Sequence, residues 1–196
     1  MNRLVITMGD PCGVGPEIIV KFFDGIYKVE DKRLFLVVVG SKSVLEYYKR
    51  KLRIDLEIVE ITKAHIVDGK LENGKLHLIN IDTDIDKLEF GKHTELGGAL
   101  SIKYLDKAIE LCHGKYVDGI VTCPISKDSI NMAGFKYSGH TEYLAEKSKT
   151  EDFAMVLKGK KVVVLLNSTH VSLKEAINRV TKESVLNKIR LAQKAK

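Results

Sequence analysis

The sequence predicts an α/β fold with parallel strands, and three observations carry that expectation. Short runs of branched apolar residues, such as "RLFLVVVG" (33–40) and "KVVVLLN" (161–167), have the composition of buried strands. Stretches of helical periodicity separate such runs, and alternation of this kind builds a sheet with parallel segments. A glycine-rich loop, "MGDPCGVGPE" (8–17), joins the first apolar run to the first helical pattern.

The elements follow in order. "RLVITM" (3–8) reads as a buried strand, and "PEIIVKFFDG" starts a helix with Pro16 at a favoured first position. "RLFLVVVG" is the second strand. In "SKSVLEYYKRKL" (41–52), Ser43 and Glu46 have the spacing of a capping box. "DLEIVEI" (55–61) and "KLHLIN" (75–80) are further strands, and the glycines and asparagine of "DGKLENGK" (68–75) predict a surface ribbon between them. The longest helical pattern spans 94–114, with Leu96, Leu100, Leu105, Ala108 and Cys112 near one face. "YVDGIVTCP" (116–124) is a strand ending at Pro124, followed by helical segments at 126–133 and 141–148. "DFAMVLKG" (152–159) and "KVVVLLN" are strands, and residues 172–196 read as helix to the last residue. Ending inside a helical pattern, the chain is expected to continue in a longer form.

Composition narrows the class. At 196 residues the chain can bury a real core as one large domain or two small ones. Hydrophobic residues at 44% and charged residues at 30% are ordinary for a globular protein. The net charge of +6 comes from lysines interspersed with acids, a solvated surface that can attract anionic ligands such as phosphorylated metabolites. No aromatic–basic signature accompanies it, which argues against nucleic acid. Cys12, Cys112 and Cys123 are odd in number and widely spaced, as in a reducing compartment without a disulfide framework. No signal peptide and no apolar run of about twenty residues is found, so the expectation is a cytoplasmic protein with no membrane partner.

The glycine loop is not a dinucleotide fingerprint. Gly13 and Gly15 supply the first pair, but Ile18 stands at the third glycine position, and no Walker lysine follows. Pro16 removes an amide a phosphate would use, and Glu17 opposes an anion at the helix start. A tight strand-to-helix connection is the simpler reading, with Asp10 left as a polar group at a strand's carboxyl end.

Two histidines lie at junctions. His140, in "YSGHTEYLAE", precedes a helix that Thr141 can cap, and His170, in "VVVLLNSTHVSLKEA", follows the most apolar strand ahead of a Ser172–Glu175 capping box. A neutral imidazole there can bind a divalent metal or a polar ligand, or hydrogen-bond within a turn. A catalytic metal site takes three protein ligands, so two histidines do not make one. Lys127 can grip a phosphate as a point charge or stand as an exposed helix-start lysine. His65, His77, His93 and His113 read as solvated, "IDTDID" (81–86) as a solvated turn, and Cys123 as a packed thiol.

Taken together, "ITMGDPCGVGPEI", "IVTCPISKDSINMAGFKYSGHTEYLAE" and "NSTHVSLKEAI" resemble, in that order, the signatures of the 4-hydroxythreonine-4-phosphate dehydrogenase family. The resemblance implies an isocitrate/isopropylmalate dehydrogenase-like fold of two α/β domains with a cleft between them. The corresponding division would be residues 1–122 and the start of a second domain, 123–196. It implies oxidation of a phosphorylated hydroxy-amino acid by NAD or NADP, then decarboxylation to an aminoketone phosphate, in pyridoxal phosphate biosynthesis. A divalent metal (Zn, Mg or Co) suits that chemistry, and the family works as a homodimer. The family's "GHTE" pair falls on His140 and Thr141, which would contact substrate. Its "TH-x-P-L" histidine falls on His170, which would be one metal ligand, with Ser172 in place of the proline. Lys127 matches a motif lysine, and a role for it in substrate binding is our inference. The family's two remaining metal histidines lie downstream of His170, so the chain reads as an amino-terminal portion that is not competent alone. Two other readings are a paralogue acting on another phosphorylated hydroxy acid and a non-catalytic phosphometabolite-binding module.

Overall fold

A computed structural model describes residues 2–26, 34–69, 72 and 74–194. They fall into two compact units that divide after Leu144. The first unit runs past the expected boundary at 122/123, because Ile130 and Tyr143 form a small apolar cluster with Ile102, Leu105 and Ile109.

Five parallel strands form the first unit's sheet: β1 (Asn2–Thr7), β2 (Leu34–Gly40), β3 (Ile58–Glu60), β4 (Leu76–Asn80) and β5 (Gly119–Thr122). Their order is β3-β4-β2-β1-β5. β2 is buried along nearly its whole length, as parallel strands covered on both faces must be. Arg33 of the second predicted strand lies outside the described residues.

Helix α1 (Gly15–Lys21) carries β1 towards β2 and packs on α2 (Lys42–Leu52). The 19-residue α4 (Glu95–His113) carries β4 back past β2 and β1 to β5, packing on all three. The chain therefore moves in opposite directions across the sheet, and right-handed crossovers put α1 and α4 on opposite faces. The loops after β1 and β5 diverge there, at the switch point where open α/β sheets place their ligands.

Local chemistry differs from expectation in four places. Ser43 does not open a capping box. It lies inside α2 and donates to the Thr83 carbonyl, while Asn80 Oδ1 accepts the Lys42 amide at 2.9 Å. Among the described residues no ribbon joins β3 to β4. They pair in parallel through α3 (Lys63–Asp68), whose Thr62–His65 capping box hides behind a histidine instead of the usual Glu or Gln. Lys70, Leu71 and Asn73 of the expected turn lie outside the described residues. Two short helices, α5 (Lys127–Met132) and α6 (His140–Lys147), follow β5; α6 begins at His140, so Thr141 is within it and is not its cap.

The fourth difference is in the second unit, 145–194. An antiparallel pair, β6 (Val156–Lys158) and β7 (Val163–Leu165), precedes α7 (Leu173–Asn178) and α8 (Lys182–Lys194). One continuous helix was expected, but Thr181 and Ser184 cap each other's amides at 3.0 and 3.1 Å and restart it. The last two residues of that expected helix lie outside the described residues. Among the described residues no helix is long and apolar enough to cross a membrane.

Candidate functional site

The glycine loop's residues explain its shape. Gly9 has φ +72°, and a Cβ there would lie 2.2 Å from the Pro124 carbonyl oxygen. Its conformation and the close approach both demand glycine. The Asp10 amide also donates to that carbonyl at 3.0 Å. The loop joins β1 tightly to α1, as the simpler reading expected, and its backbone also abuts the end of β5, which that reading did not foresee.

Asp10 is buried at the centre of this junction, 4% exposed. Its carboxylate accepts the Cys12 amide at 2.9 Å and the Ser129 hydroxyl at 3.0 Å. Ser129 Oγ in turn accepts the amide of Thr94, the residue that caps α4. One carboxylate therefore ties together the loop after β1, the start of α4 and helix α5. Gly98 lets α4 and α5 approach: a Cβ there would meet the Ser129 carbonyl oxygen at 1.9 Å.

Between these walls lies a cleft of about 410 Å³. Asp10 and Cys12 line it from the glycine loop, Lys92 and His93 from the segment before α4, and Ser126 and Lys127 from the segment after β5. Its place at the carboxyl ends of β1 and β5 is the switch point. His93 is exposed, as expected, and its Nδ1 lies 2.8 Å from Ser126 Oγ. Lys127 lines the cleft at the first turn of α5 and has no carboxylate within ion-pair distance among the described residues.

His140 sits half-buried at the start of α6, and its Nε2 is buried without a hydrogen-bond partner. Burial pushes its imidazole below the ordinary histidine value, opposed by a hydrogen bond to the Cys123 backbone. The unpaired buried nitrogen is the kind of group a ligand completes. Cys123 itself is buried, its thiol pushed up to about 11, and is the inert packed thiol expected.

His170, in the second unit, is exposed and has φ +56°, a left-handed backbone uncommon outside glycine. Strain of this kind clusters at ligand sites. It does not complete a metal site, however: among the described residues no group of three His, Cys, Asp or Glu can hold a metal ion. His77 corrects the sequence reading: it lies within β4, 6% exposed, with burial lowering its pKa. His65 and His113 are exposed, at the start of α3 and the end of α4, as expected.

The model of the family described as pyridoxal phosphate biosynthetic protein PdxA matches residues 32–196. This chain belongs to the PdxA family. A 4-hydroxythreonine-4-phosphate dehydrogenase of Sulfurihydrogenibium is 40% identical over 191 residues, covering 97% of this chain and 56% of its own length. A Fusobacterium nucleatum relative, 37% identical over 99% of this chain and 58% of its own length, carries the provisional name D-threonate 4-phosphate dehydrogenase. The structure of the Klebsiella pneumoniae 4-hydroxythreonine-4-phosphate dehydrogenase superposes with a TM-score of 0.87 at 28% identity, over 98% of this chain and 57% of that one. The fold is thus that of PdxA dehydrogenases, isocitrate/isopropylmalate dehydrogenase-like, and the chain spans little more than half the length of these relatives.

Proposed function

We propose that this chain supplies substrate-binding groups of a PdxA-type dehydrogenase acting on a small phosphorylated hydroxy acid. In that reading the substrate is 4-phosphohydroxythreonine, oxidised at its hydroxyl by NAD or NADP. The resulting β-keto acid then loses its carboxylate to give an aminoketone phosphate for pyridoxal phosphate synthesis. The observation that carries it is His140: the motif histidine has a buried Nε2 with no protein partner and a ring fixed through the Cys123 backbone. A nitrogen so held can bond and orient a substrate hydroxyl. Thr141 offers a neighbouring hydroxyl, and Lys127 an ammonium free to face an anionic group.

His170 would be one ligand of the divalent metal (Zn, Mg or Co). Among the described residues no complete donor set for that metal exists. The homodimer and the cytoplasmic location belong to the same proposal.

A second reading has its own support in the Fusobacterium relative's name: the substrate is D-threonate 4-phosphate. The two acids differ at C2, where one carries an amine and the other a hydroxyl. Calorimetric titration of the intact chain with each, without nucleotide, separates them. Binding of one should weaken about tenfold in His140→Ala, the loss of one hydrogen bond to a ligand. Binding of both acids by the variant as tightly as by the parent chain would overturn the role given to His140.

A further inference from the structure

We infer that Gly9 is a positioning residue for His140: it seats the Cys123 carbonyl where that carbonyl fixes the imidazole in one tautomer, with Nε2 left as a bare acceptor. What the acceptor meets rests on the functional reading, whereas the tautomer rests on the protein's own contacts.

Two glycines of the loop converge on one short segment. A Cβ on Gly9 would stand 2.2 Å from the Pro124 carbonyl oxygen and 2.8 Å from that of Cys123. No carbon fits that close to a carbonyl oxygen, so a side chain there would displace the Cys123–Pro124 backbone. A Cβ on Gly15 would stand 3.1 Å from the Cys123 Cβ. Gly13 is different, because a Cβ there would meet its nearest neighbour at 3.4 Å, an ordinary contact. Hydrogen bonds complete the clamp. The Asp10 amide donates to the Pro124 carbonyl at 3.0 Å, and the Cys123 amide donates to the Thr7 carbonyl at 3.1 Å.

The clamped segment in turn holds the histidine. His140 is hydrogen-bonded to the Cys123 backbone while its Nε2 has no partner, so the bond is made at Nδ1. The Cys123 amide is already given to Thr7, which leaves the Cys123 carbonyl to face the ring. A carbonyl oxygen can only accept, so Nδ1 carries the proton. In a neutral imidazole the other nitrogen, Nε2, is then a lone-pair acceptor. Burial disfavours the charged ring and keeps His140 in that neutral form near pH 7.

A fixed acceptor differs chemically from a histidine free to turn. It selects a group that brings its own proton, which in the functional reading is the substrate hydroxyl. The glycine loop thus acts through two links, from Gly9 to a carbonyl and from that carbonyl to the ring.

The test is proton–nitrogen correlation NMR of the histidine rings in the isotopically labelled intact chain, which reports the nitrogen that carries the proton. The His140 signals are those lost in His140→Gln. The expected result is the Nδ1–H form in the parent chain, kept in Gly13→Ala and lost in Gly9→Ala, where the ring exchanges between tautomers. Unchanged signals of His77, in β4, show that the sheet survives each substitution, since general destabilisation would move them too. A proton on Nε2 in the parent chain overturns the proposal without any variant, so it can be refuted even where Gly9→Ala does not fold. An unchanged tautomer in folded Gly9→Ala, or an equal loss in Gly13→Ala, overturns it as well. No ligand is needed, which separates this test from the calorimetry. If the tautomer behaves as expected while His140→Ala binds both acids as the parent does, the functional reading fails and the tautomer lock stands.

Discussion

Residues 2–144 and 145–194 are built with equal care at the level of hydrogen bonds and very differently at the level of burial. Both have paired strands and capped helices: Ser172 caps α7 and the Thr181–Ser184 pair opens α8, just as Thr94 caps α4. Yet every buried apolar side chain belongs to the first unit, and among the described residues none beyond Leu144 is buried. Leu157 in β6 is 56% exposed, Val163 in β7 60% and Ile189 in α8 58%. Hydrogen bonds define an element's shape, but apolar area removed from water supplies most of its stability. A two-stranded hairpin in water is marginal for this reason. The contrast says where the chain's stability resides.

Paired substitutions break or sharpen that contrast. Leu105, fully buried in α4, should cost about 3 kcal/mol when cut to alanine, the typical loss of a core leucine. Leu186 in α8, 41% exposed, should cost less than about 0.5 kcal/mol. Urea unfolding followed by circular dichroism measures both. Equal losses would mean that residues 145–194 have an apolar core of their own.

Within the first unit, the contrast is between its apolar interior and the polar hub at Asp10. Asp10→Ala leaves the Cys12 amide and the Ser129 hydroxyl without their acceptor, at a cost of about 2 kcal/mol. Asp10→Asn keeps one carbonyl acceptor and should recover part of that loss. An unfolding midpoint unchanged in Asp10→Ala would show that the three segments are held by packing instead.

The legible and illegible parts of the sequence divide along the same physical line. β1, β2, the strand-to-helix glycine loop and α4 are readable because their signals are local: branched apolar runs, a Pro16 helix start, and apolar residues at helical spacing along 94–114. α3 was missed because six residues carry too little periodicity, and its box uses His65. His77 was misread because a polar residue inside "KLHLIN" signals solvent in an antiparallel strand, whereas β4 is covered on both faces. The exposure of His93 is legible but its partner is not, since Ser126 is 33 residues away. His140 and Lys127 were singled out from motif and junction, but only the fold shows that one has a bare buried nitrogen and the other an unpaired charge.

His77 offers the smallest effect and the most selective one. Its imidazole sits among the apolar residues of β4, and burial lowers its folded pKa below the ordinary 6.5. The unfolded chain therefore takes up the proton first as the solution is acidified. The stability tied to a neutral His77 is fully present above the ordinary histidine range and is lost as pH falls through the lower folded value. His140 is shifted in the same direction, so it adds to the slope. Replacing His77 with leucine should flatten part of the fall in unfolding free energy between about pH 7 and pH 5, above the range where most carboxylates titrate. Urea midpoints across that window test it, and a slope the same as in the parent chain would mean that the β4 histidine stays as easily protonated folded as unfolded. If instead the slope vanishes entirely, His140 contributes nothing to it, and the nitrogen left bare beside Cys123 is reached by water.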